Sequence, residues 1–288
     1  MSSRMLHLIT VGTSIVRNAA KYSDTYSILE KHGERLRNWA VAHPDSYWDK
    51  DAGEHARVSS DVFRDVLAFV TSDPRRASAE LNSLFGFIES LSQKGIGNVV
   101  HDVVLYPTDT GVSVFCARII YEYLRGEGLR SQVITDHSIG DVEVNTVPFF
   151  GKEFWRGLLN LILEISKYVV GDKVHDRILA NLTAGFKPEV SFLLLISSIL
   201  GIDTAYYIHE SMKQIIEIPI IELQLTPTME KLLEKILETK NEKLSEDIAR
   251  ITDRLGLSIN GTPIPEARKI AEILLKLGRS RYTSPRCQ

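Results

Sequence analysis

The run Asp102-Val103-Val104-Leu105-Tyr106-Pro107-Thr108-Asp109-Thr110-Gly111-Val112-Ser113-Val114-Phe115 reads as one complete strand–loop–helix unit. Asp102–Tyr106 is a short β-rich run closed by Pro107, which suits a buried strand. Thr108 to Gly111 supplies capping side chains, and Val112–Arg125 then continues as a helix. The same unit recurs on both sides. Upstream, Met5–Val11 is a β-rich run ended by Gly12, and Ser27 to Gly95 is mostly helical, with breaks at His43-Pro44 and Asp73-Pro74. Downstream, Ser131–Thr135 predicts a third strand, Asp136–Lys152 a polar loop, and Glu153–Val170 a helix. Arg177–Leu182 predicts a fourth strand. Pro188 sits where a first helical turn tolerates it, and that helix runs to about Leu200. Thr204–Ile208 and Gln214–Ile218, around Glu210-Ser211, predict a hairpin at one sheet edge. Strands separated by helices of this length pair in parallel through right-handed crossovers, so the predicted class is α/β with a doubly wound, mainly parallel sheet.

Composition narrows the function. The 288 residues are 44% hydrophobic and 25% charged, which excludes a disordered tail or a disulfide-stapled miniprotein. The net charge of −3 lacks the cationic surplus that coats nucleic acid non-specifically. Only Cys116 and Cys287 occur, which fits a reducing interior and excludes a cysteine-rich metal site. Met1 to Gly12 is too short for a signal-peptide core with its cleavage site, and Ser197, Ser198 and Gly201 interrupt the longest apolar stretch. The expectation is a soluble cytoplasmic protein with no membrane contact. Residues 225–288 carry 12 Lys and Arg against 9 Asp and Glu, whereas residues 1–224 carry 22 against 28. The chain is therefore divided into a larger α/β domain, 1–224, and a small, mainly helical module, 225–288. Within the module, helices are predicted at Met229–Thr239, Leu244–Leu255 and Glu266–Leu277, with a turn or short hairpin from Gly256 to Pro265.

Ligands of an open parallel sheet bind beyond the carboxyl ends of its strands. Three predicted loops leave those ends with small polar residues: Gly12-Thr13-Ser14, Thr108-Asp109-Thr110-Gly111, and Thr183 to Lys187. Each alone reads as a cap and a turn. Together on one edge, with the charge of Lys187, they make an anion site of hydroxyls, backbone N–H groups and helix N-termini. The familiar nucleotide motifs do not fit. Gly12 lacks the Gly-Lys-Ser/Thr of a P-loop, Gly95-Ile96-Gly97 precedes a strand rather than following one, and no nucleophile elbow surrounds Ser14. The eight histidines show no metal-ligand spacing, and His7 reads as a core histidine. Acidic residues at the predicted edge are few, so neither a metal nor a cofactor is expected.

Leu8-Ile9-Thr10-Val11-Gly12-Thr13-Ser14, with Asn181-Leu182-Thr183-Ala184-Gly185-Phe186-Lys187-Pro188-Glu189, resembles the CRISPR-associated Rossmann-fold (CARF) proteins. Within these the chain is similar to the archaeal ring nucleases, stand-alone proteins with a winged-helix-like C-terminal module. The resemblance covers about residues 5–220, and the module only by size and helix order. It implies a Rossmann-like fold and a homodimer that binds cyclic tetra-adenylate. It further implies metal-independent cleavage of that second messenger into linear di-adenylates with 2′,3′-cyclic phosphate ends, which switches off type III CRISPR signalling. Carried over by motif, Ser14 holds the scissile ribose–phosphate in line and Lys187 stabilises the phosphorane or the leaving oxygen. Thr13, Thr110, Gly111, Thr183 and Gly185 line the phosphate path. Gly12, Thr108, Asp109, Ala184 and Phe186 complete the ligand-binding loops, with Arg118 added from the helix after the second strand. Ala184 departs from the family's Thr-Gly-Gly-Phe-Lys pattern, which matters only if that position needs a positive φ. The alternative is a transcriptional regulator that binds the messenger without cutting it and uses its C-terminal module on DNA; a surplus of three charges predicts weak or no sequence-specific binding. A messenger-activated ribonuclease is disfavoured, because no histidine follows His209 and the Arg37 to His43 spacing lies in the N-terminal helical segment.

Overall fold

Apolar side chains on both faces of a strand require a helical layer on each side, and the two longest strands are buried in that way. The computed structural model describes residues 2–126, 136–169, 174–184, 187–209, 214–239 and 242–282. Its main sheet contains β1 (Ser3–Val11), β2 (Val99–Pro107), β3 (His137–Val144), β4 (Arg177–Asn181), β5 (Thr204–His209) and β6 (Gln214–Pro219). The order is β3-β2-β1-β4-β5-β6, parallel except for β6 against β5. This is the mainly parallel α/β sheet the sequence predicts.

Between β1 and β2 run α1 (Ser14–Tyr22), α2 (Ser27–Glu30), α3 (Gly33–Ala40), α4 (Tyr47–Glu54), α5 (Asp61–Ser72), α6 (Pro74–Ala77) and α7 (Ala79–Gln93). Both predicted breaks are present. His43-Pro44 separates α3 from α4, and Pro74 opens α6 behind Asp73, whose carboxylate caps Arg76 N at 3.1 Å. These helices and α8 (Gly111–Arg125) cover one face, where Ile9, Val11, Val103 and Leu105 meet Phe63, Leu84 and Phe115. On the other face α9 (Phe154–Val169) and α10 (Lys187–Leu200) bury Leu6, Leu8, Val104 and Tyr106 under Leu158, Ile162 and Leu193.

The C-terminal segment comprises α11 (Pro227–Glu238), α12 (Glu246–Arg254), a hairpin of β7 (Ser258–Ile259) and β8 (Thr262–Pro263), and α13 (Pro265–Tyr282). Leu232, Leu233, Ile236, Leu244, Ala271 and Leu275 give it a small core of its own. Ile270 of α13 instead joins the core beneath α9, and Arg156 of α9 pairs with Glu266 of α13 at 3.6 Å. No helix among the described residues is long and apolar enough to cross a membrane.

The third strand differs from expectation. Ser131–Thr135 lies outside the described residues, and β3 occupies His137–Val144, within the stretch predicted as loop. As an edge strand, β3 alternates buried and exposed positions. Its polar outer face, with Ser138, Asp141 and Glu143, hides the strand from composition, and only pairing with β2 reveals it. The register shifts between His101 and Val103. There Asp102 accepts from Asp141 N at 2.8 Å and pairs with Arg4 at 2.8 Å, and a Cβ on Gly140 would lie 2.2 Å from its Oδ1. Glycine is required at that point by contact. The rest of the predicted loop packs down: Val147 and Phe150 are fully buried in the core under α9.

Four strands contribute to a buried row of polar rings. Tyr206 Oη lies 2.8 Å from His7 Nδ1, His7 Nε2 lies 2.8 Å from His101 Nδ1, and His101 Nε2 lies 2.9 Å from His137 Nδ1. His7 is thus the core histidine predicted, though sequence spacing gave no sign of its partners. Burial holds His7 well below the ordinary imidazole range, takes His101 down to about 3, and lowers His137. The three rings are neutral, each with one donor and one acceptor nitrogen.

Candidate functional site at the switch point

The chain leaves β1 for the helical layer of α1 and α7, and leaves β4 for the opposite layer of α10. β1 and β4 are hydrogen-bonded neighbours, with Ile9 opposite Asn181. The two motif-bearing loops therefore flank the topological switch point, the crevice where open α/β sheets bind ligands. Thr10 Oγ1 donates to Ala184 O at 2.6 Å and ties the loops together. Among the described residues, Ala184 is not one of those with positive φ, so the backbone there does not call for glycine.

On the β1 side, Gly12 ends the strand and Thr13 precedes α1, whose first residue is Ser14. Ser14 Oγ donates to Glu80 Oε2 at 2.6 Å, and Gly12 N donates to Glu80 Oε1 at 3.0 Å. Glu80 enters from the first turn of α7 and is 1% exposed. Ser78 Oγ also donates to Oε2, at 2.8 Å, and Ala79 N donates to Ser14 Oγ at 3.2 Å. The N–H of Gly12 is thereby committed to a carboxylate.

On the β4 side, the hydroxyl of Thr183 accepts from Ile208 N at 3.1 Å, and Thr183 N donates to Asn181 Oδ1 at 3.0 Å. Buried Asn181 donates through Nδ2 to Ser83 Oγ of α7 at 2.7 Å. Both loops thus rest on one helix. Gly185 and Phe186 lie outside the described residues, and Lys187 is the first residue of α10.

The loop after β2 belongs to the same edge but turns its groups inward. Thr110 Oγ1 caps Ser113 N at 3.3 Å, and Ser113 Oγ donates to Val11 O at 2.7 Å. Thr108 Oγ1 lies 3.1 Å from Thr110 Oγ1, and Thr108 N donates to Ser113 Oγ at 3.0 Å. Val112 N donates to Oδ1 of buried Asp49 at 3.1 Å. The N-terminus of α8 is therefore filled by protein acceptors. Gly111 faces α4 so closely that a Cβ would lie 1.8 Å from Asp49 O, which accounts for glycine there by packing. Asp109 accepts from Phe149 N at 3.2 Å and lies 3.6 Å from Lys152 Nζ. Lys152 also donates to Asp45 at 2.9 Å, and that bond above all raises its pKa. Arg118 is not brought to the edge. It stands exposed on α8, seven residues or about 10 Å along the axis from Gly111, with its guanidinium 6.0 Å from the Tyr121 ring centroid.

The expectation of few acids at this edge needs correction. Asp49 and Glu80 both arrive there from helices far away in sequence, and both are buried. Their oxygens are occupied by N–H and O–H donors, an arrangement that suits a structural or positioning carboxylate. A cleft of about 820 Å³ lies on a different face of α7, lined by Arg75, Arg76, Asn82, Gly86, Ile208 and Ile215. Its arginines are paired with Glu89 and Asp73, so it is not the free cationic edge that the motifs predict.

Residues 75–221, just over half of the chain, match the model of the family described as CRISPR-associated protein (Cas_APE2256). The chain belongs to that family. The matched region begins on α6 and ends just beyond β6, so it takes in Glu80, the loop after β2 and the turn after β4. The Gly12-Thr13-Ser14 loop precedes it, yet Glu80 holds Ser14 by its hydroxyl. No sequence signal singles out Glu80: its partners Gly12 and Ser14 lie 68 and 66 positions away.

Proposed function

We propose that this chain is a ring nuclease of type III CRISPR immunity, opening cyclic tetra-adenylate to linear di-adenylates with 2′,3′-cyclic phosphate ends. The observation that carries this reading is that Ser14 follows β1, and Thr183, Ala184 and the start of α10 at Lys187 follow β4, on either side of the switch point between those two neighbouring strands. Membership of a CRISPR-associated family supports it. The chemistry asks little of the protein. The ribose 2′-hydroxyl attacks the phosphate on its own 3′-oxygen, so the nucleophile is already tethered and positioning supplies much of the rate. What remains is to orient that hydroxyl and to stabilise the extra negative charge on phosphorus, the roles given to Ser14 and Lys187. Lys187 opens α10, where a positive helix end adds to its charge.

The ring has repeated, equivalent phosphates, and halving it means cutting two opposite bonds. A homodimer whose two-fold axis relates those bonds presents Ser14 and Lys187 twice. The regulator reading draws on the helix, helix, hairpin, helix order of residues 227–282, a winged-helix-like sequence of elements. It requires tight DNA binding at physiological salt, which the module's small charge surplus does not favour. The deciding experiment is to incubate purified protein with labelled cyclic tetra-adenylate in excess EDTA and resolve the products. Linear di-adenylates with cyclic phosphate ends are expected. Loss of cleavage on chelation, restored by magnesium, would refute the metal-independent mechanism, and an intact ring under all conditions would refute the activity.

A further inference from the structure

Ser14 has one proton, and the structure shows where it goes. Glu80, buried to 1% exposure, offers Oε2 to the Ser14 hydroxyl at 2.6 Å and to the Ser78 hydroxyl at 2.8 Å, while its Oε1 accepts Gly12 N at 3.0 Å. An ionised carboxylate only accepts, so both hydroxyls must donate to it. One lone pair of Ser14 Oγ takes the N–H of Ala79 at 3.2 Å. A single lone pair is left on this half-buried hydroxyl. Toward any ligand at the switch point, Ser14 is therefore an acceptor. A phosphate oxygen, itself rich in lone pairs, would meet that lone pair with a carboxylate behind it. A ribose hydroxyl would meet it as a donor.

We infer that Glu80 is a positioning residue that fixes Ser14 as a hydrogen-bond acceptor, so that the group recognised at Ser14 is a ribose 2′-hydroxyl of the ring and not a phosphate oxygen. This rests on the ring-nuclease reading and deepens it. In the cleavage step the O2′–H bond breaks as its proton passes to Ser14 Oγ, and the Ser14 proton passes to Glu80 Oε2. O2′ forms a bond to the 3′-phosphorus while the P–O5′ bond breaks. O5′ leaves with the electron pair and takes a proton from solvent, and Glu80 returns its proton to solvent through Ser14. The backbone N–H of Gly12 and the hydroxyl of Ser78 hold the carboxylate still throughout, as orientation of a relay requires. Lys187 is left with the charge on phosphorus, so the two catalytic positions divide hydroxyl and phosphate between them.

The test compares the native ring with an all-2′-fluoro ring, which keeps the size of the substituent but has no proton to give. Wild-type protein is expected to bind the native ring about two- to tenfold more tightly, the range of one hydrogen bond. In Glu80→Gln, with the amide oxygen kept by Gly12 N, the amide N–H faces Ser14 and releases the serine proton toward the ligand. That variant should lose the preference for the native ring, hold it within about threefold of wild type, and cut it about a hundredfold or more slowly in a single turnover. Equal binding of both rings by wild-type protein would overturn the inference without requiring any variant to fold. Wild-type cleavage and preference in Glu80→Gln would overturn it while leaving the ring-nuclease reading intact. Failure of wild-type protein to bind either ring would overturn both.

Discussion

Alanine at position 111 should cost stability rather than ligand affinity. Gly111 does not need its glycine for backbone freedom, because no positive φ is present there. It needs the missing Cβ, which would lie 1.8 Å from Asp49 O and 2.8 Å from both Asp49 C and Gly53 N. That is roughly 1.5–2 Å short of van der Waals contact, and the obstacle is backbone that cannot swing aside. The helices must separate, and the separation pulls the Asp49 carboxylate off Val112 N, now at 3.1 Å. Overpacking of this kind costs about 1–3 kcal/mol, and a weakened hydrogen bond to a charged acceptor adds about 1.5–3 kcal/mol. Better helix propensity returns at most about 1 kcal/mol. The net expectation is a loss of about 2–4 kcal/mol, seen as a fall of roughly 1 M in the midpoint of urea unfolding. Binding of the ring by the folded variant should stay close to wild type. An unchanged midpoint with lost affinity would refute the packing argument and return Gly111 to the phosphate path.

Two other outcomes are expected, the first from the proposed function and the second from the buried imidazoles. Lys187→Ala should slow cleavage about a hundred- to a thousandfold while weakening binding far less, and dimers mixed with wild type should stop at a linear tetra-adenylate; full halving by mixed dimers would refute the shared site. Acid should weaken the fold through the imidazole row. His101 titrates at about 3 when folded against 6.5 ordinarily, and His7 is shifted in the same direction, so the unfolded chain binds protons first. Their contribution is complete above about pH 6.5 and falls with pH toward 3, by up to about 1.4 kcal/mol per pH unit for each ring. A urea midpoint that does not fall between pH 7 and pH 5 would contradict this.

What the sequence revealed, and what it withheld, follows from the range of each signal. The hairpin of β5 and β6, the strand–loop–helix unit around Thr108 and the breaks at Pro44 and Pro74 are written in residues within a few positions of one another. They could be read directly. The strand β3 could not, because His137–Val144 is polar on its outer face and becomes a strand only against β2. The candidate loops after β1 and β4 were legible for the same local reason, since glycine, threonine and lysine stand together there. Glu80 and Asp49 were not. A buried carboxylate is rare enough that composition assigns such residues to solvent, and only the folded chain shows the donors that keep them inside.

The row from Tyr206 to His137 carries a further consequence. Neutral imidazoles in series can order their protons in two ways, all directed toward β3 or all toward β5. A ring cannot change its tautomer alone without setting two donors or two lone pairs face to face. The sheet therefore has an electrical direction at right angles to its strands, a line of dipoles that reverses as a whole or not at all. Nitrogen chemical shifts of the three rings should accordingly report a single matched set of tautomers, and a mixed set would break the line. Because Tyr206 shares β5 with Ile208, whose N–H holds the hydroxyl of Thr183, the end of that line lies two residues from the wall of the candidate site.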